Sequence, residues 1–258
     1  MEDKIRLILC DLDGTLLHSD KTISDYSAQV LTKCKEKGIL VGFATSRGRN
    51  TVIPYEKQIN PDLIICNGGA SVVYKNKIIY TRTFSLEETR TILSQSYSAC
   101  GENAEITLDT LDNLYWNRLH DKSTSFYPDS IYDDFRDFKI PAMKICVQTQ
   151  SEEAVKKICQ SVKACDALPF SDIPWYKFSN KEATKENAIK YLCSYLGFEC
   201  SDIIAFGDDF NDIGMLKLCG KGIAMQNAIS QVKEISDDIA LSNDSDGVAE
   251  YLKKLLNL

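Results

Sequence analysis

Two acidic turns carry the strongest chemical signal in the sequence. Asp11-Leu12-Asp13-Gly14-Thr15 follows the apolar run from Ile5 to Cys10. Gly207-Asp208-Asp209-Phe210-Asn211-Asp212 follows a second apolar run, from Ile203 to Phe206. Because ligands bind at the carboxyl ends of parallel strands, we expect both turns at one edge of a sheet. Carboxylates gathered there repel one another unless a hard cation separates them, and Mg²⁺ is the first choice. Each turn alone also fits an ordinary solvated loop.

Two weaker signals follow other predicted elements. Thr45-Ser46-Arg47 comes at the end of an apolar strand, where hydroxyls and free amides can hold phosphate oxygens. Helix capping is the commoner role of Thr or Ser at such a place. Lys185 comes at the predicted start of a helix, where a lone lysine is normally solvated, and Lys181 is a nearby alternative. Neither signal predicts a site without the acidic turns.

The elements that must position these residues alternate between strand and helix. Apolar runs at 5–10, 39–44 and 63–66 predict strands, and helices are expected from Ser24 to Gly38 and around 50–58. This order is typical of a parallel sheet with crossover helices. Runs at 72–74 and 78–80 predict a hairpin that leaves the sheet. The same alternation of strand and helix patterns resumes from Thr184 to Leu258.

Residues 84–179 have a different character and are interpreted as an inserted domain. Helices are predicted at 86–97 and 152–162, and strands at 104–108, 144–147, 168–170 and 175–178, with a polar stretch at 115–125. A helix-strand-strand pattern occurs twice, which predicts an open α+β layer.

Composition limits the class of protein. The chain has 258 residues, 30 Lys plus Arg, 37 Asp plus Glu and a formal net charge of -7. Its apolar content of 44% argues against general disorder, and its apolar runs are too short for a membrane span. The acidic balance argues against a nucleic-acid partner. The ten cysteines include no CxxC pair, so they are predicted to be reduced core residues of a cytoplasmic protein.

Taken in order, the motifs resemble those of the haloacid dehalogenase superfamily. The set comprises Asp11 to Thr15, Ala44 to Arg47, Lys185, and Gly207 to Asp212. More narrowly, the chain resembles the Cof-like phosphatases, which carry a large cap of type C2B between the second and third motifs. The resemblance implies an α/β fold: a Rossmann-like parallel-sheet catalytic core at 1–83 and 180–258, with an inserted α+β cap domain for substrate specificity at 84–179.

The same resemblance implies roles for individual residues. Asp11 would be the nucleophile that forms an aspartyl-phosphate, and Asp13 the acid and base of the two half-reactions. Mg²⁺ would be held by the Asp11 and Asp208 side chains and by the Asp13 backbone carbonyl. Asp209 and Asp212 would position these groups. The residues implied to hold phosphate oxygens are Leu12, Thr45, Ser46, Lys185 and Asn211.

Two residues depart from the family pattern, and the substrate stays open. Ser46 stands where the family usually has Gly, and Glu186 stands where Gly usually follows the lysine. The implied substrates are small phosphorylated metabolites, sugar phosphates among them, acted on by a monomer or a homodimer with no membrane partner. The side chains and backbone groups expected to contact the substrate are Arg47, Asn67, Gly68, Trp116, Arg118 and His120.

Three alternatives to a phosphatase remain at this point. A phosphotransferase of the phosphohexomutase type would pass the phosphoryl group to a second hydroxyl rather than to water. A non-catalytic regulator would bind a sugar phosphate without turnover, although the joint presence of Asp11, Asp13, Lys185 and Asp208 argues against it. A purely structural or partner-binding protein would show no Mg²⁺-dependent hydrolysis.

Overall fold

The computed structural model describes residues 5–119, 129–170 and 173–258. By their internal contacts the residues divide into two compact units, and each is described separately. The first unit comprises Met1–Arg47, Thr51–Tyr80 and Thr184–Leu258, and the second comprises Gly48–Asn50 and Thr81–Ala183.

The first unit is built on an eight-stranded sheet. Its strands, in the order in which they lie side by side, are β14 (Asp238–Ala240), β13 (Lys221–Met225), β12 (Ile203–Gly207), β1 (Leu7–Cys10), β2 (Leu40–Ala44), β3 (Leu63–Cys66), β4 (Ser71–Tyr74) and β5 (Lys77–Thr81). The six from β14 to β3 pair in parallel. The helices in its chain segments are α1 (Asp25–Glu36), α2 (Arg49–Ile59), α5 (Lys185–Leu196), α6 (Ile213–Leu218), α7 (Ser230–Ile235) and α8 (Gly247–Leu256).

The central strands of this sheet lie inside the core. Every residue of β1 is fully buried, as expected for a strand that helices cover on both faces. Register brings the ends of β1 and β12 together, because Cys10 lies opposite Phe206. Ser24 caps α1 by accepting a hydrogen bond from the Ser27 amide, as the sequence predicts.

The predicted departure of the 72–80 hairpin from the sheet is wrong. β4 pairs antiparallel with β3, with Val72 opposite Ile65, and β5 forms the edge of the same sheet. Apolar side chains explain this, since Val72 and Val73 are buried and would be exposed if the hairpin left the sheet.

In the part of the second unit that the structure describes, there are a six-stranded sheet and two helices. The strands lie in the order β10 (Cys165–Pro169), β11 (Trp175–Asn180), β9 (Lys144–Gln148), β6 (Ile106–Asp109), β7 (Leu114–Trp116) and β8 (Ile131–Tyr132). Among the described residues of this sheet, the strands pair antiparallel except for β7 with β8. The helices are α3 (Leu86–Cys100) and α4 (Glu152–Ser161), which pack beside each other.

Alternation along the strands of this sheet separates an apolar face from a polar one. Ile106, Ile145 and Phe178 are buried in one cluster with residues of α3 and α4. Two predictions need correction here: β7 begins at Leu114 and overlaps the stretch expected to be merely polar, and β10 begins at Cys165 rather than Leu168. Pairing with β6 and with β11 stabilises these weakly patterned segments, and local sequence does not report such pairing.

The predicted mixed α/β architecture, with a parallel-sheet core and a second sheet, is confirmed. Within the described residues, no helix is both long enough and apolar enough to cross a membrane.

Candidate active site

The parallel pairing of β1 and β12 brings the two acidic turns together. The Asp11 amide donates to the Phe206 carbonyl at 3.0 Å, so Asp11 and Asp208 leave the sheet at the same edge. Asp11, Asp208 and Asp212 each offer a carboxylate oxygen within 4.8 Å of the others. Residues almost 200 positions apart in sequence therefore converge on one small volume.

Lys185 supplies the positive charge of this cluster. Thr184 caps α5 by accepting a hydrogen bond from the Asn187 amide, which fixes Lys185 as the first helical residue. The Lys185 Nζ lies 2.6 Å from Asp11 Oδ1 and 2.6 Å from Asp212 Oδ1. Lys185 is only 2% exposed, whereas the alternative Lys181 lies on the surface.

Asp212 stabilises the turn after β12 through hydrogen bonds. Its Oδ2 accepts hydrogen bonds from the amides of Asp208 and Asp209 at 3.0 and 3.1 Å, while its Oδ1 contacts Lys185. Asp209 caps the following 3₁₀ turn through the Phe210 amide. Because both Asp212 oxygens are engaged, the site geometry favours a positioning role for Asp212 and leaves Asp208 facing the cluster.

Burial makes the charge balance of this site unfavourable without a further cation. Burial and the repulsion from Asp212 raise the pKa of Asp208 to about 7. Burial, opposed by Lys185, also raises the pKa of Asp11 above its usual range. Burial lowers the pKa of Lys185, but the two carboxylates outweigh it and raise that pKa above its ordinary value. Three carboxylates against one ammonium fit a divalent cation with oxygen ligands.

Thr15 is a site residue to which the sequence analysis gave no role. Its hydroxyl donates to Asp208 Oδ1 at 2.8 Å, and the residue is buried. Its place in the Asp-x-Asp-Gly-Thr turn was visible, but the partner lies 193 positions away. Thr15 therefore fixes the orientation of the Asp208 carboxylate toward the cluster.

Gly14 allows the two turns to approach closely. It has a φ of 75°, and a Cβ built there would lie 2.3 Å from Asp208 Oδ2. The nearby Asn227 side chain donates to the Gly14 carbonyl at 2.7 Å. The absence of a side chain at Gly14 is thus a condition for the geometry of Asp208.

We expect Gly14→Ala to be more damaging than a glycine replacement elsewhere with the same backbone strain. Gly38 is the matched control, because its φ is 79° and a Cβ there would have no atom within 4 Å. Each change costs about 1 to 2 kcal/mol of unfolding free energy through left-handed strain. The clash adds about 1 to 3 kcal/mol to Gly14→Ala and displaces Asp208. Urea unfolding checks the difference, and equal losses in the two variants would show that the close contact is unimportant.

The Asp13 side chain lies outside the carboxylate cluster and pairs with two cations. Arg47 holds it with two hydrogen bonds, Nε to Oδ2 at 2.6 Å and Nη2 to Oδ1 at 2.8 Å. Lys21 contacts Asp13 Oδ1 at 2.9 Å. Burial acts in the opposite direction, but Arg47 and Lys21 lower the pKa of Asp13 to about 2. Asp13 is therefore a carboxylate in this arrangement, and Lys21 is a partner that the sequence analysis missed.

The loops after β2 and β3 bring Thr45 beside Asn67 and Gly68. Thr45 is buried, and its hydroxyl accepts a hydrogen bond from the Arg47 amide at 3.1 Å. The Gly68 amide donates to the Thr45 carbonyl at 2.9 Å, and the Asn67 amide donates to the Arg47 carbonyl at 2.8 Å. These bonds connect two loops at the carboxyl ends of adjacent strands.

The remaining predicted phosphate-binding residues belong to the same strand ends. Leu12 is fully buried between Asp11 and Asp13. Ser46 is half-buried next to Thr45, and Asn211 is half-buried in the 3₁₀ turn that Asp209 caps. Their places in the fold fit the predicted set, although their roles in phosphate binding stay predictions.

Glu186, the second departure from the family pattern, lies against Gly214. A Cβ built on Gly214 would lie 2.5 Å from the Glu186 carboxyl carbon. The missing side chain of Gly214, in the first turn of α6, therefore leaves the space that the Glu186 side chain occupies. Glu186 fits there while Lys185 keeps its contacts with Asp11 and Asp212.

The predicted substrate residues of the insertion form a separate group within the second unit. The Trp116 indole donates to Glu105 Oε1 at 3.0 Å, and Arg118 Nε lies 3.6 Å from Glu105 Oε2. Arg118 also donates to the Asn103 carbonyl at 3.0 Å. His120 lies outside the described residues. Glu105 thus fixes both described members, and their contact with a substrate stays a prediction.

Comparisons with known proteins point to one class. The family profile of the haloacid dehalogenase-like hydrolases matches residues 8–252. The 5-amino-6-(5-phospho-D-ribitylamino)uracil phosphatase YitU of Bacillus subtilis (strain 168) is 28% identical over 271 residues, with 100% of both chains covered.

Two solved structures share the fold. A haloacid dehalogenase-like hydrolase from Bacteroides thetaiotaomicron has a TM-score of 0.84 at 22% identity, covering 98% of this chain and 100% of that chain. The subclass IIB sugar phosphatase BT4131 has a TM-score of 0.82 at 20% identity, also covering 98% and 100%.

A parallel-sheet core with an acidic edge and an inserted second sheet defines a class of hydrolases. The chain belongs to the haloacid dehalogenase-like hydrolase family. The predicted family, fold class and enzyme class, a phosphoric monoester hydrolase, are confirmed. Members of this family generally use a divalent metal, and the acidic cluster of Asp11, Asp208 and Asp212 fits one.

Proposed function

We propose that this enzyme is a Mg²⁺-dependent phosphatase that hydrolyses small phosphorylated metabolites, with sugar phosphates as the main class. The observation that carries the proposal is the contact of Lys185 with Asp11, 2.6 Å long and buried beside the Asp208 carboxylate. An ammonium in this position can stabilise both a carboxylate nucleophile and the phosphoryl group that it attacks. A purely structural ion pair would not need the third carboxylate, which costs free energy through repulsion.

The main obstacle to the reaction is the attack of an anion on an anion. In the proposed mechanism, Asp11 attacks phosphorus, the bond between phosphorus and the substrate oxygen breaks, and an aspartyl-phosphate forms. Lys185 offsets the growing negative charge. The groups that hold the phosphate oxygens are Thr45, Asn211 and the amides of Leu12 and Ser46. Mg²⁺ held by the Asp11 and Asp208 carboxylates and the Asp13 carbonyl would supply charge neutralisation at this point.

Asp13 is assigned the proton transfers of both half-reactions. It donates a proton to the leaving alcohol and later takes one from the water that hydrolyses the aspartyl-phosphate. Arg47 and Lys21 favour its ionised form, which suits the second role. The first role requires a protonated Asp13, so we propose that Arg47 releases Asp13 and turns to the substrate when the substrate binds.

We expect Asp13→Ala to stop turnover after the first chemical step. Without a base, water attacks the aspartyl-phosphate about 10² to 10⁴ times more slowly, so the phosphoenzyme accumulates with a substrate whose leaving group needs no proton. The amount of phosphoenzyme is measured by acid quenching after reaction with an activated aryl phosphate that carries labelled phosphorus. The label is expected in the tryptic peptide 7–21, which contains Asp11. Unlabelled protein under conditions where the wild type turns over would remove the base role from Asp13.

Residues 84–179 are proposed as the specificity cap of this phosphatase, and 1–83 with 180–258 as its catalytic core. Support comes from the separate cluster of Trp116, Arg118 and Glu105 in the second unit, which combines a stacking surface with hydrogen-bonding groups. The relatives named above include a phosphatase of a ribityl compound and a sugar phosphatase. We accordingly propose polyhydroxylated phosphate monoesters as substrates, a cytoplasmic setting, and a monomer or homodimer without nucleic-acid partners.

Phosphate release across a panel of sugar and polyol phosphates tests this function. Each substrate is incubated with the full chain in Mg²⁺ and again in excess chelator. We expect free phosphate from at least one of these esters in Mg²⁺ and a loss of at least about a hundredfold with chelator. Chromatography of the products separates hydrolysis from transfer, because an isomeric hexose phosphate would indicate a phosphotransferase. Hydrolysis of equal rate in chelator would contradict the proposed metal dependence.

A further inference from the structure

Two thiols of the second unit lie close together at the junction of α4 and β10. Cys159 is in the last turn of α4, and Cys165 is the first residue of β10. Their Sγ atoms are 3.7 Å apart. Two consecutive turns fold the connecting chain back: the Val162 amide donates to the Cys159 carbonyl, and the Cys165 amide donates to the Val162 carbonyl. The backbone therefore holds these sulfurs together independently of any bond between them.

Both thiols of this pair are within reach of small molecules. Cys159 and Cys165 are half-buried, and β10 is an edge strand that pairs with β11 alone. A second close pair in the first unit provides a contrast. Cys193 and Cys200 have Sγ atoms only 3.4 Å apart, but Cys193 is buried.

Thiolate formation also differs between the two pairs. The hydrogen bond shared with Cys165 lowers the pKa of Cys159, against the effect of burial. Burial, with a contribution from Cys200, raises the pKa of Cys193 to about 12. Since the thiolate is the nucleophile of cysteine chemistry, Cys159 is the better starting point for oxidation even though its partner is more distant.

We propose that Cys159 and Cys165 form a dithiol modification site that hydrogen peroxide oxidises to a disulfide. The Cys159 thiolate attacks one peroxide oxygen, the O–O bond breaks, and hydroxide leaves and takes up a proton as water. The Cys165 sulfur then attacks the Cys159 sulfenic acid, the S–S bond forms, the S–O bond breaks, and a second water leaves. Two thiols are oxidised and one hydrogen peroxide is reduced. The disulfide would join the end of α4 to the edge strand.

The sequence gives a direct test by mass spectrometry of the full chain. Trypsin separates the two cysteines into the peptides 158–163 and 164–177, whereas Cys193 and Cys200 stay together in 191–217. The protein is treated with hydrogen peroxide at neutral pH, alkylated and digested without reductant. We expect the joined peptides 158–163 and 164–177, with a mass two hydrogens below their sum. This product should form at least about tenfold faster than an internal disulfide in 191–217.

Three variants complete the experiment. Cys159→Ser and Cys165→Ser should each abolish the joined peptides, while Cys100→Ser, a half-buried cysteine of the same unit, should leave them unchanged. Absence of the joined peptides in the wild type, or earlier oxidation of 191–217, would overturn the proposal. The readout needs no substrate and no phosphatase activity, so its result is independent of the function proposed above.

Discussion

Asp11→Asn should abolish phosphate release while leaving the fold intact. The amide cannot attack phosphorus, so we expect kcat to fall by on the order of a thousandfold or more for every substrate. Asp11 is 7% exposed and shares its surroundings with two further carboxylates. Removing one buried negative charge relieves repulsion, and Lys185 keeps Asp212 as a partner, so unfolding free energy should change by less than about 1 kcal/mol. Initial rates and urea unfolding measure the two effects.

A conservative change elsewhere serves as the control for Asp11→Asn. Asp137 is exposed in the second unit and pairs with Arg90 and Lys139 on the surface. Asp137→Asn makes the same chemical change and should retain the wild-type rate, because exposed ion pairs contribute little. An Asp11→Asn enzyme with more than a few per cent of wild-type activity would show that another group is the nucleophile.

Lys185→Met should reduce both activity and stability. The methionine preserves the volume of the side chain but removes the charge that pairs with Asp11 and Asp212. Breaking a buried pair leaves uncompensated carboxylates, which costs about 3 to 5 kcal/mol of unfolding free energy. Loss of the donor to the phosphoryl group should lower kcat by on the order of a hundredfold or more. Rates and urea unfolding of the same preparation give both values.

Two further variants separate charge from volume in this prediction. Lys181→Met removes an exposed lysine from the same segment and should match the wild type in both measurements. Lys185→Met combined with Asp212→Asn removes one carboxylate as well, and should recover stability without recovering activity. If Lys181→Met is the inactive variant, the third motif has been assigned to the wrong lysine.

Local pattern was sufficient to predict the strands and helices that carry the site. The apolar run before Asp11 predicts β1, whose four side chains are all buried. Thr184 predicts the start of α5, because an N-cap bonds only within its own turn. The approach of Asp208 to Asp11 follows from parallel pairing at one sheet edge, which a repeated strand-helix order implies. These features depend on short segments or on general topology.

Other features depend on side-chain contacts that the local sequence pattern does not report. Lys21 meets Asp13 only because the intervening turn folds back, and Thr15 meets Asp208 from the other end of the chain. The sequence predicts that the hairpin of β4 leaves the sheet, because it shows the turn and does not show the pairing with β3. Glu186 fits its place because Gly214, on another helix, has no side chain there. Side-chain packing of this kind requires coordinates.

Calorimetric titration with Mg²⁺ tests the central claim that the carboxylates of residues 11 and 208 share one cation. The wild type should bind one Mg²⁺, and Asp11→Asn and Asp208→Asn should each weaken binding by on the order of tenfold or more, since each removes a charged oxygen ligand. Asp137→Asn should bind like the wild type. Unchanged Mg²⁺ affinity in either Asp11→Asn or Asp208→Asn would contradict the shared site, whatever the activity of these variants.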